Sequence, residues 1–154
     1  MRSIKNVEKK DWLFFCIGIA LSVLFVIFCT DVYELLYYDA AFANDMYNQN
    51  MYTVCAIMAV AVCWLVAIVY YWILEIWFTC DRWYHWLISI VVALLLAPAV
   101  TFYYSDSIFT EQSLDYLIEE QNFAIVSLAV TFVLYLIVCF SVKGLSLNNR
   151  NTPF

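Results

Sequence analysis

The sequence predicts an all-α integral membrane protein: a bundle of four antiparallel transmembrane helices, with a short amphipathic helix in the second outer loop. Three observations predict it. Only 13% of the residues are charged and 66% are apolar, whereas a soluble domain carries about 25% charged residues. Such a chain has too little polar surface to cover a core in water, but lipid solvates an apolar exterior. Four uncharged stretches run from Trp12 to Thr30, Met46 to Leu74, Trp86 to Ser105 and Gln121 to Val142. A helix needs roughly 20 apolar residues to cross the hydrocarbon core, and each stretch suffices. None of them alternates polar and apolar residues with the period of two that barrel strands require.

Span one is expected over 12–30, behind a basic flank of Arg2, Lys5, Lys9 and Lys10. Its apolar stretch is longer than a typical signal core and no small-x-small cleavage pattern follows, so it is read as a retained span. Apolar and aromatic residues continue through Val32, Leu35, Leu36, Tyr37 and Tyr38, and Asn44 to Asn50 form the polar apex of the first loop. Span two is expected over 52–74. Tyr70, Tyr71, Trp72, Trp77, Phe78, Trp83, Tyr84 and Trp86 cluster at its inner end and the elbow after it. Amphipathic rings prefer the headgroup layer, so these predict an aromatic belt. An aromatic docking surface for a partner is the functional alternative.

Span three is expected over 86–104. Pro98 lacks an amide proton, so the Leu94 carbonyl loses its helical donor and a kink is expected there. In the second outer loop Thr110 is read as a cap, Glu111 suits a positive helix start, and Leu114, Leu117 and Ile118 share a face. Span four is expected over 122–142, before a short polar tail. The four spans form one domain covering residues 1–154.

Lys and Arg set the orientation. Arg2, Lys5, Lys9, Lys10, Arg82, Lys143 and Arg150 are all the basic residues in the chain, and all fall on one side of this topology. That side is predicted to be cytoplasmic and to hold both termini. Nine acids fall on the other side, from Asp31 to Asp45 and from Asp106 to Glu120, with no basic residue among them. They form either a solvated face that keeps the loops off lipid or a surface that attracts cations or a basic partner.

Helices in lipid associate through close approach at small residues. Each span carries a seam at spacings of three and four, which keep residues on one helix face. The seams are Gly18 and Ser22, Ala59 and Cys63, Ala93 and Ala97, and Ser127 and Thr131. No Asp, Glu, Lys, Arg or His falls at mid-depth in any span. Proton relays and ion paths usually carry such residues, which counts against a pump or transporter.

The candidate sites are few. Glu75, Asp81, Arg82 and His85 are the only mixed-charge cluster, and they predict an interfacial ion pair that sets the elbow. Cys80, Asp81 and His85 make a poor zinc set, so no metal or cofactor is expected. The six cysteines contain no C-x-x-C pair, which removes the thiol–disulfide exchange signal. Cys29 and Cys55 lie near the outer ends of adjacent spans. Either they form a disulfide in an oxidising compartment or both serve as small apolar residues. No phosphate loop, HExxH pattern or serine elbow is present, and the basic residues are too few for nucleic acid.

The expected partners are the lipid bilayer and other membrane subunits, or further copies of this chain. The leading expectation is a non-enzymatic subunit, anchor or assembly factor of a larger membrane complex. In a bacterial inner membrane this would be an envelope machine such as a secretion system. The alternative is a homo-oligomeric channel or membrane-disrupting effector. A small transporter, or an enzyme using Glu75 and His85, ranks behind both.

Overall fold

A computed structural model describes residues 9–74 and 83–146, and all regular structure among them is helical. Six helices follow one another: α1 (Lys9–Ile27), α2 (Cys29–Leu36), α3 (Ala40–Asn48), α4 (Met51–Ile68), α5 (Trp83–Glu111) and α6 (Leu117–Lys143). The last turns of the second span, Val69–Leu74, continue α4 as a π-helix. Four segments are long and apolar enough to cross a membrane: α1, α4 with its π segment, α5 and α6. The chain is an integral membrane protein.

The helices outrun the apolar stretches that predict them. At 1.5 Å per residue, the 29 residues of α5 and the 27 of α6 give lengths of about 43 and about 40 Å. A hydrocarbon core is only about 30 Å thick. Charge limits how deep a helix sits in lipid, not whether its backbone stays helical, so both continue into the polar layer. Helix α5 also runs unbroken through the buried Pro98. The Thr101 hydroxyl donates to the Pro98 carbonyl at 3.0 Å.

The first outer connection is more structured than its sequence suggests. Backbone bonds from Phe28 to Leu24 and from Val32 to Phe28, both 3.1 Å, carry the chain from α1 into α2. Tyr37 turns extended. Asp39 then caps α3, its Oδ1 accepting the amides of Ala41 and Phe42 at 3.1 Å each. This satisfies helix-start donors that would otherwise lack partners. Helix α3 buries Phe42, Ala43 and Met46 and leaves Asn44 and Tyr47 exposed. The expected polar apex is thus largely an amphipathic helix. Asn50, with φ of 54°, makes the left-handed step into α4, a conformation asparagine tolerates better than most residues.

The second outer connection corrects the expectation of a separate short helix. Thr110 does not start a helix; it lies in the last turn of α5. Ser113 adopts φ of 57°, Leu114 N bonds Phe109 O at 3.0 Å, and Ser113 N bonds Thr110 O at 3.1 Å. These are the paired bonds of a Schellman ending. They close α5, and Leu114 turns back onto the core. Leu117, Ile118, Glu119 and Glu120 belong instead to the first turns of α6.

Helices α4 and α6 run parallel at the centre, where the Cys63 thiol reaches the Thr131 carbonyl at 3.9 Å. Helix α5 packs antiparallel on both, while α1 leans chiefly on α6. All eight seam residues, Gly18, Ser22, Ala59, Cys63, Ala93, Ala97, Ser127 and Thr131, are buried. The bundle contains two glycines, and both lie where α1 meets α6: Gly18 faces Ser141, and Gly144 faces Asp11. A hydrogen bond ties α1 to α4: Trp64 Nε1 donates to Ser22 Oγ at 3.0 Å, and Ser22 donates to the Gly18 carbonyl at 2.9 Å. Burial is uneven. Of the apolar window of α1, 17% is buried, against 39%, 39% and 44% in the other three spans.

Candidate functional site

The acidic end of the bundle, where α2, α3 and both outer connections meet, is built on an aromatic cluster. Phe42 of α3 lies 5.6 Å from Phe109, 5.7 Å from Tyr116 and 6.0 Å from Phe123, centroid to centroid. Tyr33 of α2 lies 4.9 Å from Phe123. Edge and tilted packing of this kind adds to plain burial. Two polar contacts tie the outer connections together. The Tyr116 hydroxyl donates to Asp45 Oδ2 at 2.8 Å, and the Gln49 side-chain amide donates to Gln112 Oε1 at 2.8 Å. The hydrogen bond to Asp45, with the nearby Asp45, Asp39 and Glu119 charges, holds the Tyr116 hydroxyl above the ordinary tyrosine range.

Under this cap lies the feature sequence reasoning missed. The sequence places Glu120 among the exposed acids of the outer face, but the residue is only 2% exposed. Its Oε1 has no hydrogen-bond partner among the described residues, and Asp106 and Glu119 are near enough to repel it. A buried carboxylate normally needs a partner, because burial removes its hydration. A signal for this burial exists in the sequence. Glu120 stands seven residues before Ser127, two helical turns back along the same face, so the seam of α6 extended outward lands on it.

Below Glu120 the middle of the α6 seam presents hydroxyls. Ser127, Thr131 and Tyr135 recur every four residues on one face of α6, and all are buried. The Tyr33 hydroxyl approaches Ser127, and the Tyr135 hydroxyl approaches Ser89 and Cys139. The hydroxyls of Tyr33, Ser127, Thr131 and Tyr135 make no hydrogen bond among the described residues. A hydroxyl nucleophile needs an adjacent base, and Ser127 faces a phenol instead.

At the other end, where α1 begins and α6 finishes, the predicted ion-pair cluster is only partly visible. Glu75, Asp81 and Arg82 lie outside the described residues, as do Cys80, Trp77 and Phe78. His85 lies in the first turn of α5, its ring 4.3 Å from that of Tyr84. Its Nδ1 is buried and unpaired among the described residues. Of the predicted aromatic belt, Trp72, Trp83 and Tyr84 are exposed, but Tyr70, Tyr71 and Trp86 turn into the bundle. Beside His85 an apolar groove of about 280 Å³ opens between α5 and the π-helical end of α4.

Compared with known proteins, the chain matches no family model, no curated sequence and no solved structure. The remaining candidates stand on geometry alone. Cys29 and Cys55 are both buried and carry free thiols, and Cys29 contacts the Thr53 hydroxyl at 3.9 Å. No group of three or more His, Cys, Asp or Glu residues is placed to hold a metal ion among the described residues.

Proposed function

We propose that this chain is a non-enzymatic subunit of a larger membrane complex, acting as an anchor or assembly factor. The observation that carries the reading is the uneven burial of α1. The helix is held to the bundle along one narrow seam, Gly18 against Ser141 and Ser22 against Trp64. Leu13, Val23, Leu24 and Ile27 are all more than half exposed. A span that gives so little of its surface to its own bundle has the most to offer a neighbouring helix.

Charge supports a defined orientation. With all seven basic residues at the terminal side and nine acids at the other, both termini face the cytoplasm. The acidic end then faces outward as a rigid anionic platform, tied by Tyr116 and Asp45. Its field favours a basic partner. In a bacterial inner membrane such a part belongs to an envelope or secretion machine.

Purification from the native host in mild detergent tests this. A second membrane protein is expected at fixed stoichiometry. Recovery of copies of this chain alone, with conductance after reconstitution, would replace the subunit with a homo-oligomeric channel.

A further inference from the structure

A cleft opens at the acidic end of the bundle, where α2 turns into α3. Its volume is about 560 Å³, within the roughly 300–1,000 Å³ that ligand pockets span. Glu34 of α2, Tyr38 of the turn, and Asn44 and Tyr47 of α3 line it, together with alanines from the first turns of α3. The extended Tyr37 and the Asp39 cap make the reversal that brings these residues to one place.

The cleft holds a carboxylate without a counter-charge. Glu34 is half-buried in its wall. The basic residues described are Lys9 and Lys10 at the start of α1, His85 at the start of α5 and Lys143 at the end of α6. All lie at the opposite end of the bundle, so none neutralises Glu34 within one chain. A helix start would repel a cation through its free amides. Here that end of α3 is spent, because Asp39 Oδ1 accepts from the Ala41 and Phe42 amides at 3.1 Å each.

The aromatic walls suit the same ligand. Tyr38 and Tyr47 are each 65% exposed, with their rings lining the cleft. Tyrosine rings attract ammonium and guanidinium cations, and a guanidinium combines stacking with paired hydrogen bonds to a carboxylate. The Asn44 side-chain carbonyl can accept a further donor.

The surrounding acids select the source of the cation. Asp31 of α2, Asp39 of the turn and Asp45 of α3 stand around the cleft, on a face with nine acids and no base. A lipid ammonium comes joined to a phosphate, which this field repels within a Debye length of about 8–10 Å. A basic side chain of a protein brings no such anion.

We infer that the cleft between α2 and α3 is a binding site for one arginine or lysine side chain of a partner protein, its cation held by the Glu34 carboxylate and the Tyr38 and Tyr47 rings. The natural occupant rests on the subunit reading, in which the acidic face meets a basic partner; the recognition of the cation does not.

The test uses the purified full chain in a maltoside detergent and two short peptides that carry a benzophenone. One peptide contains arginines. The other has citrullines in their place, which keep the shape and lose the charge. Adducts are mapped by mass spectrometry. The arginine peptide is expected to label the segment from Glu34 to Tyr47 severalfold over the connection from Glu111 to Asp115, and severalfold over the citrulline peptide. Glu34→Gln should lower that labelling about tenfold, and Tyr47→Ala about threefold. Glu111→Gln removes an equal charge outside the cleft and should change it less than about twofold. If Glu34→Gln fails to fold, Tyr38→Ala and Tyr47→Ala, both at exposed positions, make the same test. Equal losses from Glu34→Gln and Glu111→Gln would mean a diffuse field and overturn the site. Equal labelling by the two peptides would overturn the recognition of a cation. Loss of the labelling on adding short-chain phosphatidylethanolamine would assign the cleft to a lipid headgroup. The subunit reading fails on a different result, the absence of a partner in native membranes, which the peptides do not touch.

Discussion

Gly18 of α1 packs directly against Ser141 of α6, so closely that a β-carbon at Gly18 would overlap both Oγ and Cβ of Ser141. The Ser141 hydroxyl is itself held, donating to the Ile137 carbonyl at 2.6 Å. Below it, a β-carbon at Gly144 would sit 2.8 Å from Asp11 Oδ1. A chain with two glycines has placed both at the joint between its least buried span and the rest. The absence of a side chain there is what lets α1 attach at all.

Gly18→Ala is therefore expected to destabilise the bundle by about 1–3 kcal/mol, the usual cost of overpacking. Gly18→Leu should release α1 altogether. In a helix facing only lipid, the alanine change would instead stabilise by about 0.5–1 kcal/mol. Thermal unfolding in detergent, with the rate of proteolysis between α1 and α4 as a second readout, separates the two signs.

Glu120 gives a prediction of opposite sign. Glu120→Gln keeps the shape of the side chain and removes the charge of a buried carboxyl whose Oε1 has no partner among the described residues and which feels Asp106 and Glu119. The variant is expected to be more stable than the natural chain by about 1 kcal/mol at neutral pH. If the carboxylate serves function, the same variant should lose complex assembly while unfolding later. Loss of stability would show that the carboxylate has a partner in the folded protein.

Tyr116 supplies a pH dependence. Its hydroxyl is held above the ordinary tyrosine range by the bond to Asp45. A raised folded value means the contact is fully present below the unfolded pKa, about 10, and is lost as pH rises through the folded value. The tyrosinate absorbance difference between the natural chain and Tyr116→Phe should therefore appear at higher pH than for free tyrosine. Its appearance at the ordinary pH would mean the cap contact does not form.

The spans were legible because lipid imposes a simple rule: about 20 apolar residues per crossing. The helix ends were less so, because they depend on backbone geometry rather than hydropathy. Ser113 at positive φ stops α5, and Asp39 starts α3 with one side-chain oxygen. The seam residues could be read from spacing alone, yet the same spacing extended to Glu120, where charge argued for water. Packing won because the turn that carries Glu120 leads directly into Phe123 and the buried seam of α6. The groove beside His85 was not legible at all, since it needs the π-helical turn at Val69–Leu74 and the facing wall of α5.

Orientation is testable without purification. A periplasmic reporter inserted near Ser113, in the connection between α5 and α6, is expected to be active. The same reporter near Asn148 is expected to be inactive, and the reverse pattern would invert the assignment of both faces.

The subunit reading stands on the exposed side of α1, and photocrosslinking from that side tests it most directly. A photoreactive amino acid at Leu24, which is 54% exposed, should give one discrete adduct with a different membrane protein in native membranes. The same label at Val91 on α5, 53% exposed, serves as the lipid-facing control and should not give that adduct. No protein adduct from Leu24, or an adduct only with a second copy of this chain, would contradict the account.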